Sequence, residues 1–109
     1  MLKKLLARIR PIVLRLFGIN IALSCRLYKF KEIRGKGVII GSNTQICEGS
    51  WIAADSCGSR KQANLIISDG CEIGYNNHFF AVNNILLDLD VLTGNNVLIT
   101  DSSHEYKNI

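Results

Sequence analysis

Two histidines, His78 and His104, are the side chains best able to act as a base and then an acid near neutral pH, because imidazole titrates there. His104 follows the run Ile99-Thr100-Asp101-Ser102-Ser103, so Asp101 and Ser102 lie close enough in sequence to line a pocket beside it. By residue type alone, a polar histidine there reads as a surface residue. His78 sits within Tyr75-Asn76-Asn77-His78, a stretch that reads as a corner, and no carboxylate is obviously placed to orient it. The cysteines are Cys25, Cys47, Cys57 and Cys71, with no CxxC pair, which argues against a zinc knuckle and for free thiols in a reducing compartment.

The elements that must position these groups are legible from residue 38 onward. Apolar or small residues come in pairs two apart, and the pairs recur every six residues. Val38/Ile40, Thr44/Ile46 and Ser50/Ile52 form a first run. Leu65/Ile67, Cys71/Ile73 and Asn77/Phe79 form a second, and Ile85/Leu87, Val91/Thr93 and Val97/Ile99 a third. A period of two within a pair points both side chains the same way from a short strand, and the period of six places a corner after each strand. Gly41, Gly74 and Gly94 follow the second member of a pair, and Asn43, Asn76 and Asn96 occupy turn positions that tolerate positive φ. Three such strands make one triangular coil, and the nine pairs describe about three stacked coils, each burying its neighbour's apolar edge. Hairpins would not hold a six-residue phase, and an open sheet with helices needs longer crossovers. The phase breaks twice. A loop is expected at about residues 53–64, containing Gly58, Ser59, Arg60 and Lys61, and a small excess falls at Val82-Asn83-Asn84.

Residues 2–17 read as an amphipathic helix with Leu2, Leu5, Leu6, Ile9, Val13, Leu16 and Phe17 in one stripe, and with Pro11 expected to kink or divide it. Lys3, Lys4, Arg8, Arg10 and Arg15 project from the other side. The first 36 residues carry ten Lys/Arg against Glu32 alone, whereas the remainder carries three basic and eight acidic residues. A basic head on an acidic body points to an anionic surface such as lipid, or to an ordinary solvated face. Packing of the stripe against a neighbouring domain or subunit is the other outcome. Aromatics at 7% without basic–aromatic interleaving argue against nucleic acid as a partner. The N-terminal apolar run is broken by Arg8, Arg10, Pro11 and Arg15, so it is neither a signal peptide nor a spanning helix. The organisation read is a basic helix and connector over 1–36 and a repeat domain over 37–109.

The segments Ile67-Ser68-Asp69-Gly70-Cys71-Glu72-Ile73-Gly74 and Thr93-Gly94-Asn95-Asn96-Val97-Leu98-Ile99-Thr100-Asp101-Ser102-Ser103-His104 resemble the hexapeptide-repeat acyltransferases. Within that family they look most like the bacterial sugar and polysaccharide O-acetyltransferases, a group that includes the galactoside, maltose and lipopolysaccharide enzymes. The resemblance covers residues 38–109. It implies an all-β, left-handed parallel β-helix with an N-terminal amphipathic helix, against the usual right-handed crossover preference. It implies acetyl-CoA as acyl donor, no metal, a homotrimer, and His104 as the catalytic base that deprotonates the acceptor hydroxyl. Family members of the galactoside type place an asparagine near the catalytic centre across a subunit boundary. Val82 falls there by the simplest alignment, so Asn83 or Asn84 takes the role, with Asp101 and Ser102 lining the acceptor pocket. The family's oxyanion-stabilising backbone amide has no counterpart that sequence can locate. Trimeric carbonic anhydrases of the same fold need three histidine ligands, and this chain has two.

The sequence stops five residues after His104, where members of the family continue with further coils that bind the coenzyme. The 109 residues alone are therefore expected to be poorly soluble and not to turn over. The competing readings are a non-catalytic β-helix scaffold or remnant, and a serine or amino-sugar N-acetyltransferase. A cytoplasmic location, against the inner face of the membrane, is the expected setting.

Overall fold

The computed structural model describes residues 2–58 and 60–102. One helix, α1 (Leu2–Leu16), precedes eleven short strands. These are β1 (Asn20–Ile21), β2 (Arg26–Leu27), β3 (Glu32–Arg34), β4 (Val38–Ile40), β5 (Gln45–Ile46) and β6 (Trp51–Ala54). After a connection come β7 (Asn64–Ile67), β8 (Glu72–Ile73), β9 (His78–Ala81), β10 (Asn84–Leu87) and β11 (Leu98–Thr100).

The strands form three parallel sheets, ordered β1-β4-β7-β10, β2-β5-β8 and β3-β6-β9-β11. The chain visits the sheets in rotation: each of the first three passes adds one strand to each sheet, and the last adds β10 and β11 but only an isolated bridge, Leu92 to Glu72, on the β2-β5-β8 sheet. Ile21 faces Ile40, Ile40 faces Ile67 and Ile67 faces Leu87, giving successive offsets of 19, 27 and 20 residues. The long second pass contains the connection between β6 and β7, at 55–63, and the third contains the turn at Val82-Asn83 between β9 and β10.

The expectation of an all-β, left-handed parallel β-helix is corrected here. The described residues form one helix and three separate sheets that are not closed on one another. The physical reason is strand length. Strands of two to four residues hydrogen-bond only to the strands of the passes before and after, while the corners between them contribute no lateral ladder, so each face is a sheet with two open edges. The segment read as a connector also supplies the first strand of every sheet, since β1, β2 and β3 pair with β4, β5 and β6.

The core lies between the sheets. Val38, Ile40, Ile46, Ile52, Leu65, Ile67, Ile73 and Phe79 are buried, with Ile21, Leu27 and Ile33 continuing the same columns from the first pass. The small or polar members of the pairs also point inward. Cys25 and Cys71 donate Sγ–H to the carbonyls of Gly41 (2.8 Å) and Asp88 (3.2 Å), and Thr44 Oγ1 donates to the Ser68 carbonyl (3.1 Å). Asn77 is buried with its amide fully engaged. Its Nδ2 donates to the carbonyls of Tyr75 (3.0 Å) and Gly94 (2.8 Å), and its Oδ1 accepts from Thr93 Oγ1 at 2.6 Å. A buried amide satisfied in this way fixes the corner it spans instead of weakening the core.

Corners carry the strain that the residue types allow. Asn43, Asn76, Asp90 and Asn96 take φ of 56°, 55°, 58° and 59°, the left-handed region that Asn and Asp enter most readily among non-glycine residues. Gly74 is a close-approach glycine, since a Cβ there would collide with the Gly94 carbonyl of the next pass.

Helix α1 runs unbroken through Pro11. It covers β1 and β2, packing through Ala7 and Pro11, both buried, with Leu14 against the core. Among the described residues no helix is long and apolar enough to cross a membrane.

Candidate functional site at the outer face of the third sheet

In the third sheet the side chains alternate across the strands. Ile52, Phe79 and Ile99 point to the core, so their neighbours Trp51, His78 and Leu98, and in the next register Ala53, Phe80 and Thr100, take the outer side. Trp51 and His78 stack with ring centroids 4.1 Å apart, tilted by 32°. Beside them a pocket of about 360 Å³ is lined by Cys57, His78, Phe80, Leu98, Thr100 and Ser102. This lining combines an apolar floor with imidazole, hydroxyl and thiol groups, the composition of a small-molecule site.

Two carboxylates fix the rim. Asp55 opens the β6–β7 connection. Its Oδ1 accepts from the Cys57 amide (2.9 Å) and its Oδ2 from Arg34 Nη1 (3.1 Å), while Arg34 Nε also pairs with Glu32 (3.0 Å). The Cys57 amide, then the Arg34 guanidinium, hold the Asp55 carboxyl below its ordinary range. Cys57, at φ 53°, is thereby held over the pocket.

Asp101 is the second anchor. Its Oδ1 accepts from the Val82 amide (2.6 Å), and its Oδ2 from the amides of Asn83 (2.9 Å) and Asn84 (2.7 Å). Desolvation pushes this carboxyl up, but the three backbone donors outweigh it and the net displacement is downward. Asn84 extends the anchor sideways, because its Oδ1 accepts from Asn64 Nδ2 at 3.0 Å. Asn64 in turn donates its backbone amide to the Asn83 carbonyl (2.9 Å).

A group whose folded pKa lies below its unfolded value contributes stability at pH above the unfolded pKa, and loses it as pH falls through the folded value. Asp101→Asn is therefore expected to lower the unfolding midpoint by a constant amount above about pH 5 and by progressively less below about pH 4. Urea titrations of both proteins from neutral pH to about pH 2.5 check this. A gap that widens toward acid would contradict it.

Of the residues singled out from sequence, Asn83, Asn84 and Asp101 are brought together, and Ser102 lines the pocket next to them. The contact is made by the backbone amides of Asn83 and Asn84, so the Asp101 carboxylate is occupied in holding the turn. His104 lies outside the described residues. His78, read from the sequence as a corner residue with no carboxylate to orient it, also reaches this face. It is the first residue of β9, not a corner residue, and it faces the pocket. The signal was present, since the residue between the inward pair Asn77 and Phe79 must face out. Trp51 Nε1 is buried among the described groups without an acceptor.

Among the described residues, no group of three His, Cys, Asp or Glu side chains is placed to hold a metal ion. All four cysteines are free thiols. Burial pushes the thiols of Cys25 and Cys71 up, whereas Cys57 is exposed at the pocket rim. Maleimide is expected to modify Cys57 in the native protein and to reach Cys25 and Cys71 only in urea, as read by mass spectrometry of the digested chain. Native labelling of Cys25 or Cys71 at the rate of Cys57 would contradict the core assignment.

Comparison of the chain with protein-family models, with curated proteins and with solved structures finds no match.

Proposed function

We propose that this chain transfers an acetyl group from acetyl-CoA to a hydroxyl of a sugar or cell-surface polysaccharide. The observation that carries the reading is the pocket on the outer face of the third sheet, set next to the turn that Asp101 clamps. It combines with the resemblance of the segments around Gly74 and Thr93-Gly94-Asn95-Asn96 to the hexapeptide-repeat acyltransferases. Asp101 fixes the chain three residues before His104, and Ser102 in the pocket lining leads on from it.

In the reaction so assigned, His104 removes the proton from the acceptor hydroxyl. The hydroxyl oxygen attacks the thioester carbonyl carbon, the new C–O bond forms, and collapse of the tetrahedral adduct breaks the C–S bond. The proton held on the imidazole passes to the departing thiolate, so the base returns to its neutral form. Thr100, Ser102 and His78 line the pocket as hydrogen-bonding groups for a polyhydroxylated acceptor, and Phe80 and Leu98 offer an apolar surface against a sugar ring. A homotrimer, in which a neighbouring subunit completes the open side of this pocket, and a cytoplasmic location at the inner face of the membrane belong to the same proposal.

The test is transfer of radiolabelled acetyl from acetyl-CoA to a panel of glycans by the full-length protein. Label on the isolated glycan that is released by alkaline hydroxylamine marks an O-ester and supports the proposal. Hydroxylamine-stable label would replace it with N-acetylation of an amino sugar or serine. Absence of transfer to any acceptor, water included, would leave the chain as a non-catalytic scaffold.

A further inference from the structure

Helix α1 turns its weak face to the protein and its strong apolar face to solvent. At about 100° per residue, Ala7, Pro11 and Leu14 fall on one side of the helix, and this is the side packed on β1 and β2. Leu2, Leu5, Leu6, Ile9, Ile12, Val13 and Leu16 fall on the opposite side, and Phe17 follows them. All eight are exposed, Leu16 and Phe17 by 82% and 80%. A contiguous stripe of this size on a soluble surface marks an interaction site.

The charges around the stripe identify the partner. Lys4, Arg8 and Arg15 lie between stripe and packed face along one border, Lys3 and Arg10 along the other, and the helix contains no acidic residue. Arg10 and Arg15 also donate to the carbonyls of Leu27 (3.2 Å) and Ile21 (2.9 Å), which pins the helix to the first strands from both sides and fixes the direction of the stripe. An apolar stripe bordered on both sides by cations matches the layered chemistry of an anionic bilayer surface, with acyl chains at the centre and phosphates at the flanks. Pairing with the same helix of a second copy would bring five cations against five. The remainder of the chain, with eight acidic residues against three basic ones beyond residue 36, would be repelled by the same surface, so the basic end alone would face it.

We infer that α1 is an in-plane anchor that binds the headgroup region of an anionic phospholipid membrane through its outward stripe. This attachment does not depend on acyl transfer. Flotation of the full-length protein with vesicles tests it, using phosphatidylcholine alone or with about a third phosphatidylglycerol. The expected result is flotation with the anionic vesicles only, reduced at least about tenfold in high salt. The double substitution Leu5→Glu/Ile9→Glu, at exposed positions, is expected to abolish flotation, and Lys4→Glu/Arg8→Glu to reduce it by about tenfold or more, both with unchanged urea midpoints. Lack of flotation by the parent, equal flotation on neutral vesicles, or undiminished flotation of the stripe variant would each overturn the inference. So would sedimentation showing that the stripe variant converts a lipid-free oligomer to a monomer while the parent ignores vesicles, which would assign the stripe to self-association.

Discussion

Replacement of His104 by alanine is expected to lower acetyl transfer by about 10²–10⁴-fold in kcat, with acetyl-CoA affinity nearly unchanged. A sugar hydroxyl holds its proton far above neutral pH and is a poor nucleophile until a base shares that proton in the transition state. Imidazole is suited to the task because it is largely neutral at pH 7 yet basic enough to accept the proton. The loss should therefore fall on the chemical step and not on binding of the thioester. His78→Ala is the internal comparison. His78 lines the pocket and stacks on Trp51, so its removal should raise the KM for the acceptor and alter kcat far less than loss of His104. Steady-state kinetics on the two variants separate the roles. Full activity in His104→Ala with loss of kcat in His78→Ala would move the base from one histidine to the other.

Adjacent phenylalanines on β9 provide the second large effect. Phe79 is completely buried between the sheets, whereas Phe80, one residue on, lines the pocket. Phe79→Ala removes the largest of the fully buried side chains and leaves a cavity among the buried side chains of the core, at a cost of about 3–5 kcal/mol. Phe80→Ala should cost about 1 kcal/mol or less and instead weaken acceptor binding. Urea unfolding followed by the fluorescence of Trp51 reads both variants. Equal destabilisation by the two would show that the inward and outward sides of this sheet have been wrongly assigned.

The inward-facing pairs were legible in the sequence because burial is written in residue type at a fixed spacing. Val38/Ile40, Leu65/Ile67 and Asn77/Phe79 are each buried at both members. The asparagine corners were legible for the same kind of reason, since Asn43, Asn76 and Asn96 all take positive φ. What the spacing could not convey was how the strands join. It does not distinguish three open sheets from a closed winding, because the inward pattern is common to both. Residues 20–34 hid their strands behind outward cations. Arg26, Lys29, Lys31 and Arg34 interrupt the apolar signal, although Ile21, Leu27 and Ile33 keep a constant offset from Ile40, Ile46 and Ile52. The Asp101 clamp was out of reach because its partners are backbone amides 17 to 19 residues away, and backbone amides have no residue type. The direction of α1 was also hidden. An amphipathic pattern ordinarily turns its apolar stripe inward, and here Ala7 and Pro11 take that place.

Calorimetric titration of the full-length protein with acetyl-CoA puts acyl transfer to its most direct test. Saturable binding at one site per chain is the predicted result. A protein that is folded by its urea transition, yet takes up no acetyl-CoA at millimolar concentration, would contradict it.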